Sequence, residues 1–238
     1  MAQARESDDM TEYVFPPPQA PSVGVAGQKS RFPIRRIFCV GRNYEAHARE
    51  MGKDPTREPP FFFTKPADTA LDTPATIAYP PETRNFQHEI ELVVAIGKGA
   101  TNIPEDHALD HVWGYTVGVD LTRRDLQLAA RDAGRPWSWG KSFDRSAPMA
   151  PLRPVSEVGH PKQGRIWLAV NGQVKQDQVI SDLIWSVPEV IAIISRSIAL
   201  QPGDLIMTGT PAGVGAVKPG DLVTGGVEGV GELSITIA

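Results

Sequence analysis

The chain has 238 residues, 41% of them hydrophobic and 22% charged, which are the proportions of a globular protein able to bury a sizeable core. The formal net charge is −4 and no segment clusters Lys and Arg, so nucleic acid is not an expected partner. The single cysteine, Cys39, excludes an intrachain disulfide and is compatible with a reducing cytoplasm.

The N-terminal segment differs in composition from the rest of the chain. It carries acidic residues, Glu6, Asp8, Asp9 and Glu12, where a signal peptide needs a basic and then an apolar run. No apolar stretch in the sequence approaches the roughly 18 residues of a membrane span. Three consecutive prolines, Pro16 to Pro18, exclude a helix and a central strand. We therefore expect an extended arm over residues 1–31, one folded domain over residues 32–238, a cytoplasmic location and no membrane partner.

Beyond the arm, short apolar runs alternate with turn residues. Gly and Pro each occur 22 times, a composition that favours short strands and tight turns. Asn171-Gly172 lies between two such runs and predicts a hairpin with a type I′ turn. The predicted fold class is α+β, mostly β, with a few short helices. Strands are predicted at residues 37–41, 59–66, 89–96, 112–119, 165–170, 173–176, 205–208, 222–224 and 233–237, and helices at residues 43–51, 125–131 and 187–199.

Two glutamates, Glu89 and Glu91, alternate at the start of a predicted strand. Alternate residues of a strand lie on one face, so the two carboxylates should be neighbours while Ile90 and Leu92 pack on the opposite face. Buried carboxylates repel each other unless a cation lies between them, and a hard divalent ion such as Mg²⁺ prefers oxygen ligands. The ordinary alternative is an acidic strand face exposed to solvent.

Asp120 follows the apolar predicted strand 112–119, where an acid can point into a cleft. A third carboxylate beside Glu89 and Glu91 would suit a magnesium-type site that keeps positions open for a substrate. Asp120 could equally cap the helix that follows it.

His47 and Glu50 lie three residues apart on a predicted helix and therefore share one face. A carboxylate in that position can hold the imidazole in one tautomer and raise its basicity, which would make His47 a water-activating base. A surface ion pair is the alternative.

Two further segments offer ligands for an anion. Lys141 follows Trp137, Trp139 and Gly140, so its ammonium could neutralise an oxyanion in a partly dry pocket, although most lysines are simply solvated. The Gly-rich run around Thr210 leaves a predicted strand, and its backbone N–H groups can cradle an anion or merely form a tight turn.

Taken together and in this order, these segments resemble the fumarylacetoacetate hydrolase family over residues 32–238. The family resemblance implies a mixed β-roll with short helices, a homodimer, and Mg²⁺ or Mn²⁺ as cofactor. It makes residues 32–238 the catalytic domain. The motifs that carry it are Val40-Gly41-Arg42-Asn43-Tyr44 with His47 and Glu50, Phe63-Thr64-Lys65-Pro66, His88-Glu89-Ile90-Glu91-Leu92, Gly118-Val119-Asp120-Leu121-Thr122, Lys141-Ser142-Phe143-Asp144 and Thr208-Gly209-Thr210-Pro211.

The resemblance also implies a role for each matching residue. Glu89, Glu91 and Asp120 match the metal carboxylates of the family, and His47 with Glu50 matches its water-activating pair. Lys141 matches the lysine beside the metal. The positions that match substrate contacts are Arg124, Gln127 and Thr210.

Residues 13–18, 57–68 and 123–132 resemble a bacterial branch of the family that acts on fumarylpyruvate in the gentisate pathway of aromatic catabolism. This implies a small dicarboxylate 2,4-dioxo acid as substrate and hydrolysis of its carbon–carbon bond to fumarate and pyruvate. The distal carboxylate then needs a cation, for which Arg42 and either Arg123 or Arg124 are the candidates. The alternative is that these arginines lie at the surface or at a dimer contact, and for Arg123 this alternative is favoured.

Other activities remain open at this stage. A general acylpyruvase or an oxaloacetate decarboxylase would use the same enolate-stabilising site, and motifs alone cannot choose among 2-oxo acids. A non-catalytic protein that binds a metal or an organic acid is the third alternative, but mere binding has no use for a water-activating His–Glu pair.

Overall fold

The computed structural model describes residues 12–50 and 58–238, apart from the side chains of Ala48 and Glu50. The helices are α1 (Glu45–Glu50), α2 (Arg124–Asp132), α3 (Ser138–Lys141), α4 (Val155–Val158) and α5 (Val187–Ser197). The strands are β1 (Ser22–Gly24), β2 (Arg31–Pro33), β3 (Arg36–Gly41), β4 (Phe61–Lys65), β5 (Ala70–Asp72), β6 (Ala75–Ile77), β7 (Phe86–His88), β8 (Ile90–Ile96), β9 (Val112–Val119), β10 (Thr122–Arg123), β11 (Ala147–Met149), β12 (Arg153–Pro154), β13 (Arg165–Val170), β14 (Gln173–Val179), β15 (Asp204–Met207), β16 (Gly215–Ala216), β17 (Leu222–Val227) and β18 (Gly231–Ile237).

Two sheets form most of the fold. The larger sheet has the order β4-β3-β15-β8-β9-β11-β5, and β12 adds to it by pairing with β9. The smaller sheet has the order β14-β13-β17-β18-β6. Both are mixed, because β15 is parallel to β3 and β18 is parallel to β6 while most other pairs are antiparallel. The short helices lie around a mostly β body, which confirms the predicted fold class.

The two sheets enclose the larger hydrophobic core. Ile90, Leu92 and Val94 of β8 belong to the same buried cluster as Ile166 and Leu168 of β13. Burial of large aliphatic side chains contributes roughly 1.5–3 kcal/mol for each one, so this layer fixes how the sheets pack. The prediction that Ile90 and Leu92 face apolar packing is confirmed.

The opposite face of β8 packs against the N-terminal part of the chain. Val93 and Ala95 of β8 share a second buried cluster with Cys39, and that cluster includes Val23 and Phe32 of the β1–β2 hairpin. Glu91 alternates with Val93 and therefore lies on this second face. The Glu91 carboxylate therefore projects from the beginning of a strand that is buried along its whole length.

Several predicted elements have the bounds that the sequence pattern gave. β9 spans the predicted residues 112–119, and the turn between β13 and β14 has positive φ at both Asn171 and Gly172, as a type I′ hairpin requires. α5 ends at Ser197, two residues before the prediction, because Ile198 returns to extended geometry. The predicted helix 43–51 begins only at Glu45, and Met51 lies outside the described residues.

The N-terminal residues that the structure describes are partly built into the body. Val23 and Val25 are buried, whereas Tyr13, Val14 and Phe15 are exposed. No helix among residues 12–50 and 58–238 is long and apolar enough to cross a bilayer.

Candidate active site

Nine of the predicted site residues line one cavity of about 180 Å³ at the beginning of β8. The cavity wall also includes residues to which the sequence analysis gave no role, among them Phe63, Leu128, Arg131 and Trp137. The predicted residues in the wall are Arg42, His47, Glu89, Glu91, Asp120, Arg124, Gln127, Lys141 and Thr210.

The sheet register brings the three carboxylates together. Ile90 pairs with Val119 in antiparallel register, so the beginning of β8 lies beside the end of β9. Asp120, the residue after β9, donates its backbone N–H to the Glu89 carbonyl over 2.8 Å. One carboxylate oxygen from each of Glu89, Glu91 and Asp120 lies within 4.8 Å of the others, and all three residues are buried.

This oxygen set has the dimensions of a divalent-cation site. Ligand oxygens about 2.1 Å from an octahedral ion lie roughly 3.0 Å apart when adjacent and roughly 4.2 Å apart when opposite. The oxygens of the triad lie within 4.8 Å of one another, a spacing compatible with coordination of one shared ion. The residues present therefore fit a hard cation such as Mg²⁺ or Mn²⁺ that takes oxygen ligands.

Lys141 holds two of the carboxylates in place. Its Nζ donates to Glu89 Oε2 over 2.7 Å, to Asp120 Oδ2 over 2.6 Å and to Thr122 Oγ1 over 2.7 Å. Burial alone lowers the pKa of the Lys141 ammonium, but the charges of Asp120 and Glu89 outweigh it and the net pKa is raised. All three ammonium hydrogens therefore form hydrogen bonds within the protein. The main effect of Lys141 on the cavity is to hold Glu89 and Asp120 in position.

Lys65 is a second buried lysine at the site, and sequence reasoning placed it in a family motif without giving it a role. Its Nζ donates to the backbone carbonyls of Leu121 and Lys141 and to Ser146 Oγ, and it lies 2.9 Å from Asp120 Oδ1. That last contact lacks hydrogen-bond alignment, and Oδ1 has no hydrogen-bond donor among the described residues. Asp120 Oδ1 therefore lies next to a positive charge but accepts no hydrogen bond from the described residues, although it is buried.

The three carboxylates differ in how their charge is compensated. Arg124 pairs with Glu89 Oε1, and together with Lys141 it holds the pKa of Glu89 below its usual range although burial by itself raises that pKa. Glu91 accepts a hydrogen bond from the Gly209 N–H over 2.7 Å, but no Lys or Arg among the described residues forms an ion pair with it. Burial, with Asp120 and Glu89 nearby, raises the pKa of Glu91 well above its usual range. A cation is what this carboxylate lacks.

His47 lies on α1 and is buried in the cavity wall. Glu50 ends the same helix, but its side chain lies outside the described residues. The pairing of the two side chains therefore stays a prediction, while His47 itself faces the same cavity as the carboxylates.

One face of α2 forms a side wall of the cavity. Arg124, Gln127, Leu128 and Arg131 follow the i, i+3, i+4, i+7 spacing of a single helical stripe, and all four line the cavity. Arg124 donates to Gln127 Oε1 as well as to Glu89. The stripe begins at the carboxylates and runs about 10 Å away from them, at 1.5 Å per residue, to Arg131.

Arg42 lies in the wall on a strained backbone. Its φ of 53° is left-handed, a conformation that arginine rarely adopts and that is often retained at functional sites. Its guanidinium stacks 4.8 Å from the Phe61 ring centroid, and Phe61 meets Trp137 edge to face at 5.2 Å. Gly41 permits this packing, since a Cβ there would lie 2.0 Å from the Phe61 ring. No carboxylate among the described residues pairs with Arg42.

Thr210 enters the cavity from the loop after β15. Gly209 has a φ of 101°, and a Cβ there would lie 2.6 Å from the Asn43 Cβ, so the loop requires glycine at this position. The same geometry directs the Gly209 N–H at Glu91 and turns Thr210 into the cavity. Thr210 Oγ1 accepts a hydrogen bond from Gln176 over 2.8 Å.

Arg123 does not line the cavity. Its guanidinium lies 4.6 Å from the Phe143 ring centroid and donates to the Pro81 carbonyl. The expected surface position is wrong, because Arg123 is 8% exposed and packs inside the chain. The alternative of a dimer contact stays a prediction.

The residues that motif reasoning missed left only weak signals in the sequence. Lys65 lies at the end of the Phe-rich strand β4, within the motif Phe63-Thr64-Lys65-Pro66, but nothing in that motif indicates its ion pair with Asp120. Arg131 lies one helical stripe beyond Arg124, which becomes visible only when the bounds of α2 are known.

Comparisons with known proteins show the family of the chain. The family model described as Fumarylacetoacetate (FAA) hydrolase C-terminal matches residues 36–238. A fumarylpyruvate hydrolase of Ralstonia sp is 50% identical over 184 residues, which cover 77% of this chain and 95% of that protein. The crystal structure of fumarylpyruvate hydrolase from Pseudomonas aeruginosa in complex with Mn²⁺ and pyruvate is 53% identical, with a TM-score of 0.93 and coverage of 95% of this chain and 99% of that one.

A second activity also occurs among the relatives. The mitochondrial oxaloacetate tautomerase of Arabidopsis thaliana is 40% identical over 202 residues, which cover 85% of this chain and 90% of that protein. Since the family model spans most of the sequence and these two relatives are 50% and 40% identical to it over their aligned residues, the chain belongs to the fumarylacetoacetate hydrolase family.

Proposed function

We propose that this chain is a metal-dependent hydrolase that cleaves the C3–C4 bond of fumarylpyruvate and releases fumarate and pyruvate. The carrying observation is the convergence of a buried acidic triad, His47 and Thr210 on one cavity. The type of reaction is supported by the 50–53% identity to fumarylpyruvate hydrolases of Ralstonia sp and Pseudomonas aeruginosa.

Glu89, Glu91 and Asp120 would hold one Mg²⁺ or Mn²⁺. The three carboxylates face three positively charged side chains, those of Lys65, Lys141 and Arg124. The protein alone therefore supplies no excess positive charge at this end of the cavity. A bound divalent ion would supply two positive charges, equal to the carboxylate and enolate charges of a departing pyruvate enolate. The uncompensated Glu91 is the feature that most favours this assignment.

His47 is proposed as the general base. It takes a proton from water, whose oxygen adds to the C4 carbonyl carbon of the substrate. Collapse of that adduct restores the carbonyl as a carboxyl group and breaks the C3–C4 bond, and the electron pair of this bond remains on the pyruvate fragment as an enolate. The proton held by the His47 imidazole then balances the reaction by returning to C3. Glu50, three residues further along α1, is proposed to orient the imidazole.

The remaining wall residues are proposed to hold the substrate. Thr210 and Gln127 face the 2-oxo acid end, while Lys141 and Arg124 keep Glu89 and Asp120 in position. Phe63 and Trp137 supply apolar surface that excludes water from the reacting carbons. Arg42 is proposed as the partner of the distal carboxylate.

The cellular setting is part of the same proposal. Fumarylpyruvate hydrolysis belongs to the gentisate pathway of aromatic catabolism, and we propose that the chain performs this step in the cytoplasm as a homodimer. Residues 32–238 would form the catalytic domain, and residues 1–31 an arm of it.

Oxaloacetate chemistry is the second candidate, because the Arabidopsis thaliana relative is named an oxaloacetate tautomerase. Like oxaloacetate decarboxylation, tautomerisation needs enolate stabilisation but no attacking water. General acylpyruvase activity would need the water but no distal cation.

One turnover experiment separates these activities. Purified protein is assayed with fumarylpyruvate, maleylpyruvate, acetylpyruvate and oxaloacetate, each with Mn²⁺ and with EDTA. We expect fumarate and pyruvate from fumarylpyruvate, with at least a tenfold preference over the other substrates, and loss of turnover in EDTA. Equal or faster oxaloacetate conversion would overturn the proposed function.

A further inference from the structure

Strand β14 is exposed along most of its length, yet one of its polar residues is completely buried. Gln176 has no solvent exposure, while its neighbours Lys175 and Asp177 are exposed. When an edge strand directs an amide rather than an aliphatic side chain inward, the amide needs hydrogen-bond partners, because an unpaired buried amide costs about 1–3 kcal/mol. Gln176 has partners for both ends of its amide.

The backbone fixes which way that amide faces. Gln176 Oε1 accepts from the Ile90 N–H over 3.1 Å, and Nε2 donates to the Pro211 carbonyl over 2.8 Å. A backbone N–H can only donate and a carbonyl can only accept. Rotating the amide by 180° would set N–H against N–H and carbonyl against carbonyl, so the chemistry of its two backbone partners fixes the orientation. His88 Nδ1, 2.9 Å from Oε1, then has to be the donor.

The second Nε2 hydrogen fixes the hydroxyl of Thr210. Nε2 lies 2.8 Å from Thr210 Oγ1 and donates to it, so this oxygen uses a lone pair on Gln176. The hydroxyl hydrogen must then point elsewhere, and no acceptor for it occurs within the described part of the chain. Thr210 lines the cavity, so its hydrogen is available to a ligand there.

We infer that Gln176 is a positioning residue that commits the Thr210 hydroxyl to donate to the 2-oxo acid carboxylate or its 2-oxo oxygen. Gln176 itself lies behind the cavity wall and does not touch the substrate. A hydroxyl without this constraint could accept a hydrogen bond as easily as donate one. The Thr210 hydroxyl already accepts from Gln176, so it is oriented to donate its hydrogen to an anion. The inference rests on the proposed function only in taking a 2-oxo acid as the ligand.

The informative variant is Gln176→Glu, which keeps the size and shape of the side chain. One carboxyl oxygen still accepts from Ile90, and the other, facing the Pro211 carbonyl, carries the carboxyl proton and donates to it. That protonated oxygen offers Thr210 a lone pair instead of a hydrogen, and an ionised carboxylate would do the same. The variant therefore reverses one hydrogen bond and turns the Thr210 hydroxyl away from the ligand.

The measurement is the affinity of the Mn²⁺-loaded full-length protein for pyruvate, by titration calorimetry. A hydrogen bond to a charged group is worth roughly 10- to 100-fold in affinity, so Gln176→Glu should weaken pyruvate binding by about that factor. Mn²⁺ affinity should stay near that of the unmodified protein. Gln173→Glu is the matched control, because it adds the same group to an exposed position of the same strand and should leave pyruvate affinity unchanged.

A double-mutant cycle with Thr210→Val separates positioning from a general structural or electrostatic effect. Each single substitution should weaken pyruvate binding by a similar factor, and the double variant should be little weaker than either. Losses that multiply would overturn the inference, and so would an unchanged affinity in Gln176→Glu. Thr210→Ser, which keeps the hydroxyl, should retain most of the affinity.

The unmodified protein gives a second test if Gln176→Glu does not fold. In a crystal structure with Mn²⁺ and pyruvate, Thr210 Oγ1 should lie within about 3.2 Å of a pyruvate oxygen and keep its contact with Gln176 Nε2. A longer separation, or a broken Gln176 contact, would refute the inference. These binding readouts do not depend on turnover, so loss of fumarylpyruvate hydrolysis would refute the proposed function while leaving this inference to stand or fall separately.

Discussion

The Nζ atom of Lys65 lies 2.9 Å from Oδ1 of Asp120, and both side chains are completely buried. The ammonium directs its hydrogens at Leu121, Lys141 and Ser146 rather than along the line to Oδ1. Lys65 thus compensates the charge of Asp120 without occupying its lone pairs. This arrangement places a positive charge beside a buried carboxylate and leaves the carboxylate oxygen free to bind a cation.

The first prediction is that Lys65→Met destabilises the fold strongly. Removing one partner of a buried ion pair leaves an uncompensated charge and costs about 3–5 kcal/mol. Three acceptors also lose their donor. The free energy of unfolding from urea titration measures the effect, and the exposed Lys98→Met is the control. A change below about 1 kcal/mol would show that Asp120 does not depend on this ammonium.

The second prediction concerns Glu91 and the metal. Mn²⁺ at a hundredfold excess over its dissociation constant should stabilise the unmodified protein by about 2.7 kcal/mol, because only the folded chain presents the site. Glu91→Gln should lose this gain and should not destabilise the metal-free protein, since burial and the neighbouring carboxylates already raise the pKa of Glu91. Thermal unfolding with Mn²⁺ and with EDTA measures both effects.

The control for that experiment is Glu105→Gln, a substitution at an exposed position. It should keep the full stabilisation by Mn²⁺. An equal Mn²⁺ effect in Glu91→Gln would contradict the assignment of Glu91 as a ligand and would leave Glu89 and Asp120 as the whole site.

The third prediction separates water activation from metal binding. His47→Ala should lower the kcat for fumarylpyruvate by roughly 10²- to 10⁴-fold, the usual contribution of a general base. Mn²⁺ affinity should be unchanged, and any conversion of oxaloacetate should suffer less because it needs no attacking water. The exposed His107→Ala is the control. Equal losses for both substrates would assign His47 to positioning or folding instead.

The sequence was sufficient for the carboxylates because strand periodicity is local. Glu89 and Glu91 alternate, and the apolar run of β9 ends directly before Asp120, so their approach required only that β8 and β9 pair. The same holds for the hairpin, where Asn171-Gly172 sets the turn type. Elements of this kind are encoded within a few neighbouring residues.

Residues whose roles depend on distant parts of the chain escaped prediction. Lys65 meets Asp120 across 55 positions of sequence, and Gln176 meets Thr210 across 34. The short strands β5 and β7 have too few residues to show a period. Arg123 was misjudged because its burial comes from Phe143, which is brought close only by the fold.

The last prediction is that Arg42 selects substrates with a second carboxylate. Arg124 is committed to Glu89 and Gln127, and Arg123 faces away, so Arg42 and Arg131 are the arginines left in the cavity wall. Arg131 is 43% exposed and already pairs with Asp132. Arg42 instead has a strained backbone, an aromatic support and no carboxylate partner in the described chain, which suits a bidentate ligand.

Arg42→Met should therefore lower kcat/KM for fumarylpyruvate by roughly 10- to 100-fold, mainly through KM, because a charge-assisted pair contributes about 1.5–3 kcal/mol. Acetylpyruvate lacks the distal charge and should lose little. Arg42→Lys should recover only part of the loss, since a lysine ammonium cannot form the two parallel bonds of the guanidinium. The exposed Arg196→Met should change neither substrate. If the unmodified enzyme uses both substrates with comparable kcat/KM, there is no distal carboxylate site and the enzyme is a general acylpyruvase. If Arg131→Met rather than Arg42→Met gives the selective loss, the partner of the distal carboxylate is Arg131, at the far end of α2.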